Sequence, residues 1–329
     1  MNKIFTLVGI VSISVSSLMA QDAAPKKDTT YWKKAGFLGL NGSQTWLSDW
    51  AGGGQNNTAI NSIFNYQIDY NKDKISWTTK LDAQYGLVRT GASNILNKTT
   101  VNPFRKNIDQ IFALSKFNVN AFSKYWFYAA QVDYRSQFAP GYEYDGNTIK
   151  GPAKSDFNSP GYTQIAIGLD YKPAPYFSAF LAPVAGKITT VNRQYLANDG
   201  AYGVEKAIRD NNNNIITPGK RSRYEFGGRL VFKFKKDIMK NVNIDSYLDL
   251  FSNYLNNPGN IDVVFNNLIT FKVNKYITAN LISQMNYDND IIRKRDLNAN
   301  GSIEPSLGDI NGPRLQLLTT FALGFGYKF

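Results

Sequence analysis

A nine-residue stretch near the end of the chain has the residue types and spacing of a calcium-binding loop. It reads DLNANGSIE and places Asp296, Asn298 and Asn300 two residues apart, ahead of a glycine and Glu304. Calcium prefers carboxylate and amide oxygens, and loops of this type present them at alternate positions around a glycine. Position twelve, where a bidentate acid is expected, is Leu307. The stretch predicts a Ca²⁺ site, although the same residue types are also typical of an ordinary turn.

Acid–base catalysis by carboxylates is the other chemistry that the residue types allow. The chain has 329 residues and contains neither His nor Cys, which excludes a Ser-His-Asp triad, a Cys-His pair and a zinc site built on those side chains. Asp245, Asp249 and Asp262 lie on neighbouring predicted strands, and paired acids alone can transfer protons. Pairing of these acids with Lys or Arg is the simpler interpretation, so we expect no enzyme and no bound cofactor other than Ca²⁺.

The elements that position these side chains are long strands with a period of two residues. In residues 75–89, Trp77, Leu81 and Tyr85 share one face, and Lys80 and Asp82 share the other. Residues 125–138 and 242–253 repeat this alternation. Such a pattern predicts β-strands with one apolar and one polar face. The strands are longer than the usual five or six residues.

About twelve such strands are predicted, at residues 36–47, 58–70, 75–89, 107–116, 125–138, 162–171, 176–191, 223–234, 242–254, 261–272, 276–287 and 313–329. Their length matches the roughly 9–11 residues that cross a bilayer when tilted. Aromatic residues cluster near the strand ends, and the connections alternate between short and long, which is typical of outer-membrane barrels. The sequence therefore predicts an all-β fold, a transmembrane antiparallel up-and-down β-barrel of about 12 strands.

The start of the chain predicts export. A short basic start ending in Lys3 precedes an apolar run from Ile4 to Leu18, and Ala20 is followed by polar residues. This is the pattern of a cleaved signal peptide, and the run is too short for a membrane-spanning helix. We therefore divide the chain into a signal peptide (1–20), a periplasmic segment (21–35) and an outer-membrane barrel (36–329).

The last residues, FALGFGYKF, predict the closing strand of the barrel. Phe321, Leu323, Phe325, Tyr327 and Phe329 share one face, whereas glycine, alanine and lysine fill the other. An apolar edge this long would promote aggregation in a soluble protein, but it suits a strand that pairs with the first strand and faces lipid. A C-terminal aromatic strand also resembles the signal read by the barrel-assembly machinery. We expect lipid and that machinery as partners.

Several segments across the mature chain resemble an uncharacterised Bacteroidota family of exported outer-membrane β-barrel proteins that contain a domain of unknown function. They are WKKAGFLGLNGSQTWLSDWAGGG (32–54), DYRSQFAPGY (133–142), GLDYKP (168–173), LAPVAGKITTV (181–191), GAYGV (200–204), LFSNY (250–254) and YDND (287–290). The resemblance implies a barrel and an outer-membrane location. It implies no activity and no functional residues.

The polar faces of the strands would line the lumen with side chains of both signs. The candidates are Lys80, Asp82, Asp133, Arg135, Arg229, Asp245, Asp249 and Asp262. A mixed interior fits a narrow polar pore with a transverse field, and it also fits a barrel filled by its own ion pairs. A narrow channel for small solutes is the first interpretation. A plugged, non-catalytic accessory or scaffold subunit is the alternative.

Aromatic residues in the predicted outer loops indicate a contact with a protein partner or a sugar. Trp46, Trp50, Phe138 and Tyr142 lie near strand ends, where they would form either a binding rim or part of the membrane girdle. The formal net charge is +12, and lysines recur in the predicted short turns. Without a nucleic-acid-binding motif, this charge does not indicate a nucleic-acid partner.

Overall fold

The computed structural model describes residues 31–45, 57–91, 103–146, 148–274, 277–295 and 310–328. The predicted signal peptide, Trp46, Trp50, Phe329 and the predicted calcium loop lie outside these residues.

Long strands make up most of the described chain. In chain order the strands are β1 (Trp32–Thr45), β2 (Asn57–Lys72), β3 (Ile75–Thr90), β4 (Arg105–Asn120), β5 (Trp126–Ser136), β6 (Tyr144–Asp145), β7 (Thr148–Ile149), β8 (Gly161–Ala174), β9 (Phe177–Thr190), β10 (Ile208–Arg209), β11 (Ile215–Thr217), β12 (Ser222–Met239), β13 (Val242–Asn253), β14 (Ile261–Lys272), β15 (Ile277–Tyr287), β16 (Ile292–Arg295), β17 (Ile310–Pro313) and β18 (Gln316–Lys328). The short pairs β6–β7, β10–β11 and β16–β17 form separate two-stranded sheets.

The other twelve strands form one closed barrel in which each strand pairs with its neighbours along the chain. Every pairing is antiparallel, and the barrel closes where β1 meets β18, with Leu40 opposite Phe325 and Asn41 opposite Gly324. The predicted all-β class, the up-and-down order and the count of twelve strands are confirmed. The first strand begins at Trp32, whereas the sequence predicts strand from residue 36, because Trp32 to Ala35 pair with Gln67 to Tyr70 of β2.

Side chains alternate between the lumen and the outer surface along each strand. In β5, Tyr128 is 57% exposed and Val132 is 42% exposed. Gln131 and Asp133, which flank Val132 in the sequence, are each only 2% exposed. In β18, Phe321, Leu323 and Phe325 all lie on the outside and are more than half exposed. A surface that displays rows of large apolar side chains while polar ones are buried suits a barrel surrounded by lipid.

The two ends of the barrel differ. The end that carries the tight connections, for example Asp73–Lys74 between β2 and β3, is called the turn end. Strand β1 begins at this end, and strand β18 ends there. The opposite end carries the long connections and is called the loop end. Short turns at one end and long loops at the other are the arrangement of bacterial outer-membrane barrels.

Two long connections pack together at the loop end into an ordered layer, called here the loop cap (residues 137–160 and 191–221). Val191, Leu196 and Val204 form its small apolar core. The Tyr195 hydroxyl donates to the carbonyl of Ala153 at 2.8 Å, which ties one connection to the other. The cap contains a one-turn helix, α1 (Gln194–Asn198). No helix among the described residues is long and apolar enough to span a membrane.

Strand β9 contains a β-bulge that shifts its side-chain alternation. Between Leu181 and Val184 it has one residue more than either neighbouring strand. Ala182 and Ala185 face the lumen, and Pro183 and Val184 both face outward. Proline has no N–H to donate to a ladder and is tolerated at bulges. Before Pro183 the even-numbered side chains of β9 face the lumen, and after it the odd-numbered ones do.

Candidate functional site

The middle of the lumen is occupied by a buried ion-pair network, called here the central cluster (Arg229, Asp133, Asp249, Tyr247). The Arg229 guanidinium donates to Asp133 at 2.6 Å and to both oxygens of Asp249 at 2.7 and 2.8 Å. It also donates to the Tyr247 hydroxyl at 3.0 Å. The three charged side chains are 0, 1 and 2% exposed. Because buried charges are stable only when paired and hydrogen-bonded, these groups must act as a unit.

Small residues make room for this network. Ala129, Ala166, Ala182 and Ala185 are buried on the lumen face of β5, β8 and β9. Ala182 lies directly opposite Arg229 in the pairing of β9 with β12. Narrow barrels alternate small and large interior side chains so that the interior is filled. The bulge at Pro183 brings both alanines of β9 to the inside, and so it contributes to the space that Arg229 occupies.

Further contacts run across the lumen between strands that are not neighbours. Gln284 on β15 donates to Gln110 on β4 at 2.8 Å. The rings of Phe112 on β4 and Tyr247 on β13 meet at 6.2 Å between centroids. These contacts link opposite walls of the barrel.

A second network lies nearer the loop end and is called the loop-end cluster (Lys187, Arg223, Glu225, Asp262, Asp288, Asp290). The Lys187 ammonium lies 2.5 Å from Asp262, 3.1 Å from Asp288 and 3.6 Å from Glu225. Arg223 pairs with Glu225 at 2.7 Å and with Asp290 at 2.9 Å. Two cations thus face four carboxylates, and these six side chains carry a formal charge of −2.

Basic residues outnumber acids in a third group towards the turn end. The carboxylate of Asp170, which is fully buried, pairs with Lys116 at 2.8 Å and with Lys172 at 3.1 Å. Lys116 also lies over the Phe180 ring, 4.1 Å from its centroid. This group has a formal charge of +1, so the lumen changes from negative at the loop end to positive towards the turn end.

A cavity of about 440 Å³ lies in the loop-end half of the lumen and is called the vestibule. Most of the residues that line it are polar types, and amides are frequent among them: Asn107, Gln110, Gln164, Asn266, Gln284 and Asn286. Asp262, Asp288 and Lys187 form one wall, and Arg135 and Asp249 lie at the level of the central cluster. The vestibule therefore ends on the central cluster.

The structure places all eight lumen candidates on inward faces, but in different groups. Asp133, Asp249 and Arg229 form the central cluster, with the Arg135 guanidinium 4.0 Å from Asp249. Asp262 belongs to the loop-end cluster. Lys80 pairs with Asp82 at 2.8 Å, and Asp245 pairs with Lys235 at 2.8 Å near the turn end.

The loop aromatics are only partly described. Phe138 is 48% exposed, and its ring meets the outward-facing Tyr85 edge-on at 6.5 Å. Tyr142 is 39% exposed in the loop cap. Contact with an outward-facing barrel residue is what a girdle aromatic would make, so Phe138 extends the apolar outer surface.

Several residues of the networks were missed by sequence reasoning. Lys187 follows the bulge, so simple alternation through Pro183 gives it the wrong face. Lys116 ends its predicted strand, and Asp288 falls in a predicted loop, although both are buried among charges. A proline inside an alternating run was the signal that the phase of β9 changes.

A family model described as "Protein of unknown function (DUF3078)" matches residues 43–142, less than half of the chain. The match overlaps two of the stretches that carry the predicted resemblance, and its description assigns no activity. A comparison with curated proteins found no match.

Three solved structures show a general likeness to the barrel. The COG4313 outer membrane channel from Pseudomonas putida F1 is 10% identical, with 93% of this chain and 100% of that chain covered and a TM-score of 0.38. BauA, the ferric preacinetobactin receptor from Acinetobacter baumannii, is 12% identical, with coverages of 84% and 44% and a TM-score of 0.25. Salmonella typhi OmpF in complex with daunomycin is 10% identical, with coverages of 91% and 97% and a TM-score of 0.26. The evidence that this chain forms a barrel is the pairing of its own strands.

Proposed function

We propose that the protein is a non-catalytic outer-membrane β-barrel with a plugged lumen, which serves an outer-membrane assembly as an accessory or scaffold subunit. Its outward apolar rows would contact lipid, and its loop cap would contact a protein partner. The barrel-assembly machinery would insert it after export. The absence of His and Cys from the sequence supports a non-catalytic role.

The burial of the central cluster is the observation that carries this proposal. Arg229 extends from β12 to Asp133 on β5 and has no exposed side-chain surface. An ion that passed this level would have to separate a charge-assisted network inside a medium of low dielectric constant, where such contacts are strong. The Gln110–Gln284 hydrogen bond would also have to open.

Bilayer conductance of the mature chain, residues 21–329, tests the proposal. Folding is first checked by the mobility shift of unboiled protein on SDS gels. We expect a folded barrel that is electrically silent. The quadruple variant Arg229→Ala, Arg135→Ala, Asp133→Ala, Asp249→Ala removes two cations and two carboxylates together, so that no lone charge of the network is left, and it should raise conductance. Removing the exposed Lys154–Glu143 pair of the loop cap should change nothing. Discrete current steps from the wild-type protein would contradict the plugged lumen.

A narrow channel for small solutes is the second candidate, and the vestibule favours it. A cavity of about 440 Å³ that ends on a charged layer is what a channel closed at its constriction would contain. The same recording separates the candidates. A channel gives stable current steps with an ion preference, and substitution of Lys80, Arg135 or Asp245 shifts that preference.

A further inference from the structure

The vestibule has the composition of a binding site for a small polar molecule. Ligand sites are concave and place a few polar groups precisely. The vestibule's volume of about 440 Å³ lies in the range for such sites, and amide and charged side chains surround it. A plugged barrel does not require this cavity, because its lumen is already closed by the central cluster below.

The electrostatics of the vestibule favour a positively charged occupant. The loop-end cluster has two cations against four carboxylates, and Asp262 and Asp288 of this cluster line the cavity. The central cluster and the neighbouring Arg135 together have two cations and two carboxylates and are neutral overall. A cleft with net charge of one sign and low-dielectric walls concentrates ions of the opposite sign. The vestibule should therefore attract cations, and the positive turn-end half should stop them from going further.

An unpaired acceptor points to a ligand that donates hydrogen bonds. Gln164 is 3% exposed and lines the vestibule, and its Oε1 has no hydrogen-bond partner among the described residues. Glu225 in the adjoining cluster is 6% exposed and likewise has an unpaired Oε1. Leaving a buried acceptor unpaired is unfavourable, and an N–H donor from a ligand would remove that penalty.

The position of Lys187 favours an organic ammonium group over a metal ion. Its ammonium already occupies the space between Asp262, Asp288 and Glu225. A metal ion would have to coordinate these carboxylates directly, and the ammonium stands in that position. Within the described residues, no set of three or more acidic side chains is arranged to hold a metal. Carboxylates that surround an ammonium of the protein can also accept hydrogen bonds from a second one on their cavity side.

We infer that the vestibule binds a small organic cation that carries a primary ammonium group, held by Asp262, Asp288 and Gln164. This goes beyond the proposed accessory role, which needs no small-molecule ligand. The ammonium chemistry is shared by two sources, diamines and cationic amino acids. Arg135 distinguishes them, because its Nε has no acceptor among the described residues and would bind the carboxylate of an amino acid.

Isothermal titration calorimetry of the folded full barrel in detergent tests the inference, with putrescine and L-lysine as probes. Both should bind, and L-glutamate should not. The double variant Asp262→Asn, Asp288→Asn should weaken both probes by roughly tenfold or more, since hydrogen bonds to charged groups are lost. Gln164→Leu should weaken both less. Arg135→Gln should weaken L-lysine and leave putrescine unchanged.

The matched control is Glu205→Gln, which also removes a loop-end carboxylate but is 62% exposed and pairs with Lys220 outside the vestibule. It should bind both probes like the wild type. Each variant is used only after it shows the folded mobility on unboiled gels. Absence of heat with both probes, equal binding of L-glutamate, or weakening by Glu205→Gln equal to that of the double variant would overturn the inference. If the barrel does not conduct and binds neither probe, the inferred ligand site is wrong and the plugged lumen stands. If the barrel conducts and binds the probes, the plugged lumen is wrong and the ligand site stands.

Discussion

At the scale of single residues, Arg229 is the largest fully buried side chain in the part of the chain that the structure describes. Its planar guanidinium presents five N–H donors, and it makes four hydrogen bonds with them, three to carboxylate oxygens and one to a tyrosine. Lysine has a single compact charge and could not bridge Asp133 and Asp249 in the same way. Both of its carboxylate partners are buried as well, since Asp133 and Asp249 are each 2% exposed.

Replacing Arg229 with Met should destabilise the barrel by about 3–5 kcal/mol, because two buried carboxylates lose the guanidinium that binds them both, and Arg135 lies 4.0 Å from Asp249 alone. Adding Asp133→Asn and Asp249→Asn should recover most of that loss. The measurement is the free energy of unfolding from a denaturant titration in detergent, followed by tryptophan fluorescence. Lys154→Met breaks an exposed ion pair and should stay within about 1 kcal/mol of the wild type. Equal effects of both methionine variants would show that the central cluster is not a stabilising unit.

At the scale of elements, the bulge of β9 depends on a glycine in the neighbouring strand. A Cβ at Gly168 would lie 2.0 Å from the carbonyl oxygen of Leu181 and 2.6 Å from the Cα of Ala182, so the backbone would have to move. Gly186, further along the same hairpin, has only a carbonyl oxygen at 3.9 Å. The two positions therefore form a matched pair for testing the bulge.

Gly168→Ala should lower the free energy of unfolding by about 1–3 kcal/mol, the usual cost of overpacking. Gly186→Ala should be neutral or slightly stabilising, since alanine restricts the unfolded chain more than glycine does. Denaturant titrations of both variants provide the comparison. If the two alanine variants behaved alike, the close approach of β8 and β9 at the bulge would be wrong.

The strands could be predicted from the sequence because their alternation is long and their turns are tight. Except at bulges such as the one in β9, the twelve barrel strands follow the period-two pattern that a two-faced sheet imposes. The pairing partners of the lumen charges could not be predicted, because Arg229 and Asp133 are 96 residues apart and meet only when the barrel closes. Lys187 was missed because the side-chain alternation of β9 changes phase at Pro183. The loop cap was also missed, since its small core has no periodic signature.

At the scale of the whole molecule, the outer surface inverts the usual distribution of apolar residues. Ile165, Ile167, Leu181 and Val184 lie on adjacent outward positions of β8 and β9 and are all more than half exposed. Their inward neighbours Gln164 and Lys187 are buried. A protein in water would gain by the opposite arrangement, so the barrel requires a surrounding apolar medium.

Two isoleucines with similar exposure test whether that medium is lipid. Ile167, on the barrel wall, is 59% exposed, and Ile216, in the loop cap, is 66% exposed. In lipid vesicles, Ile167→Arg should lower the free energy of unfolding by roughly 2–4 kcal/mol, because a charge on the lipid-facing side near the midplane is poorly solvated. Ile216→Arg should change it by less than about 0.5 kcal/mol, as for ordinary surface positions. Refolding from denaturant into vesicles of defined thickness measures both values. Equal tolerance of arginine at the two positions would mean that water reaches the wall at Ile167, and the membrane location would then be wrong even though the barrel itself is closed.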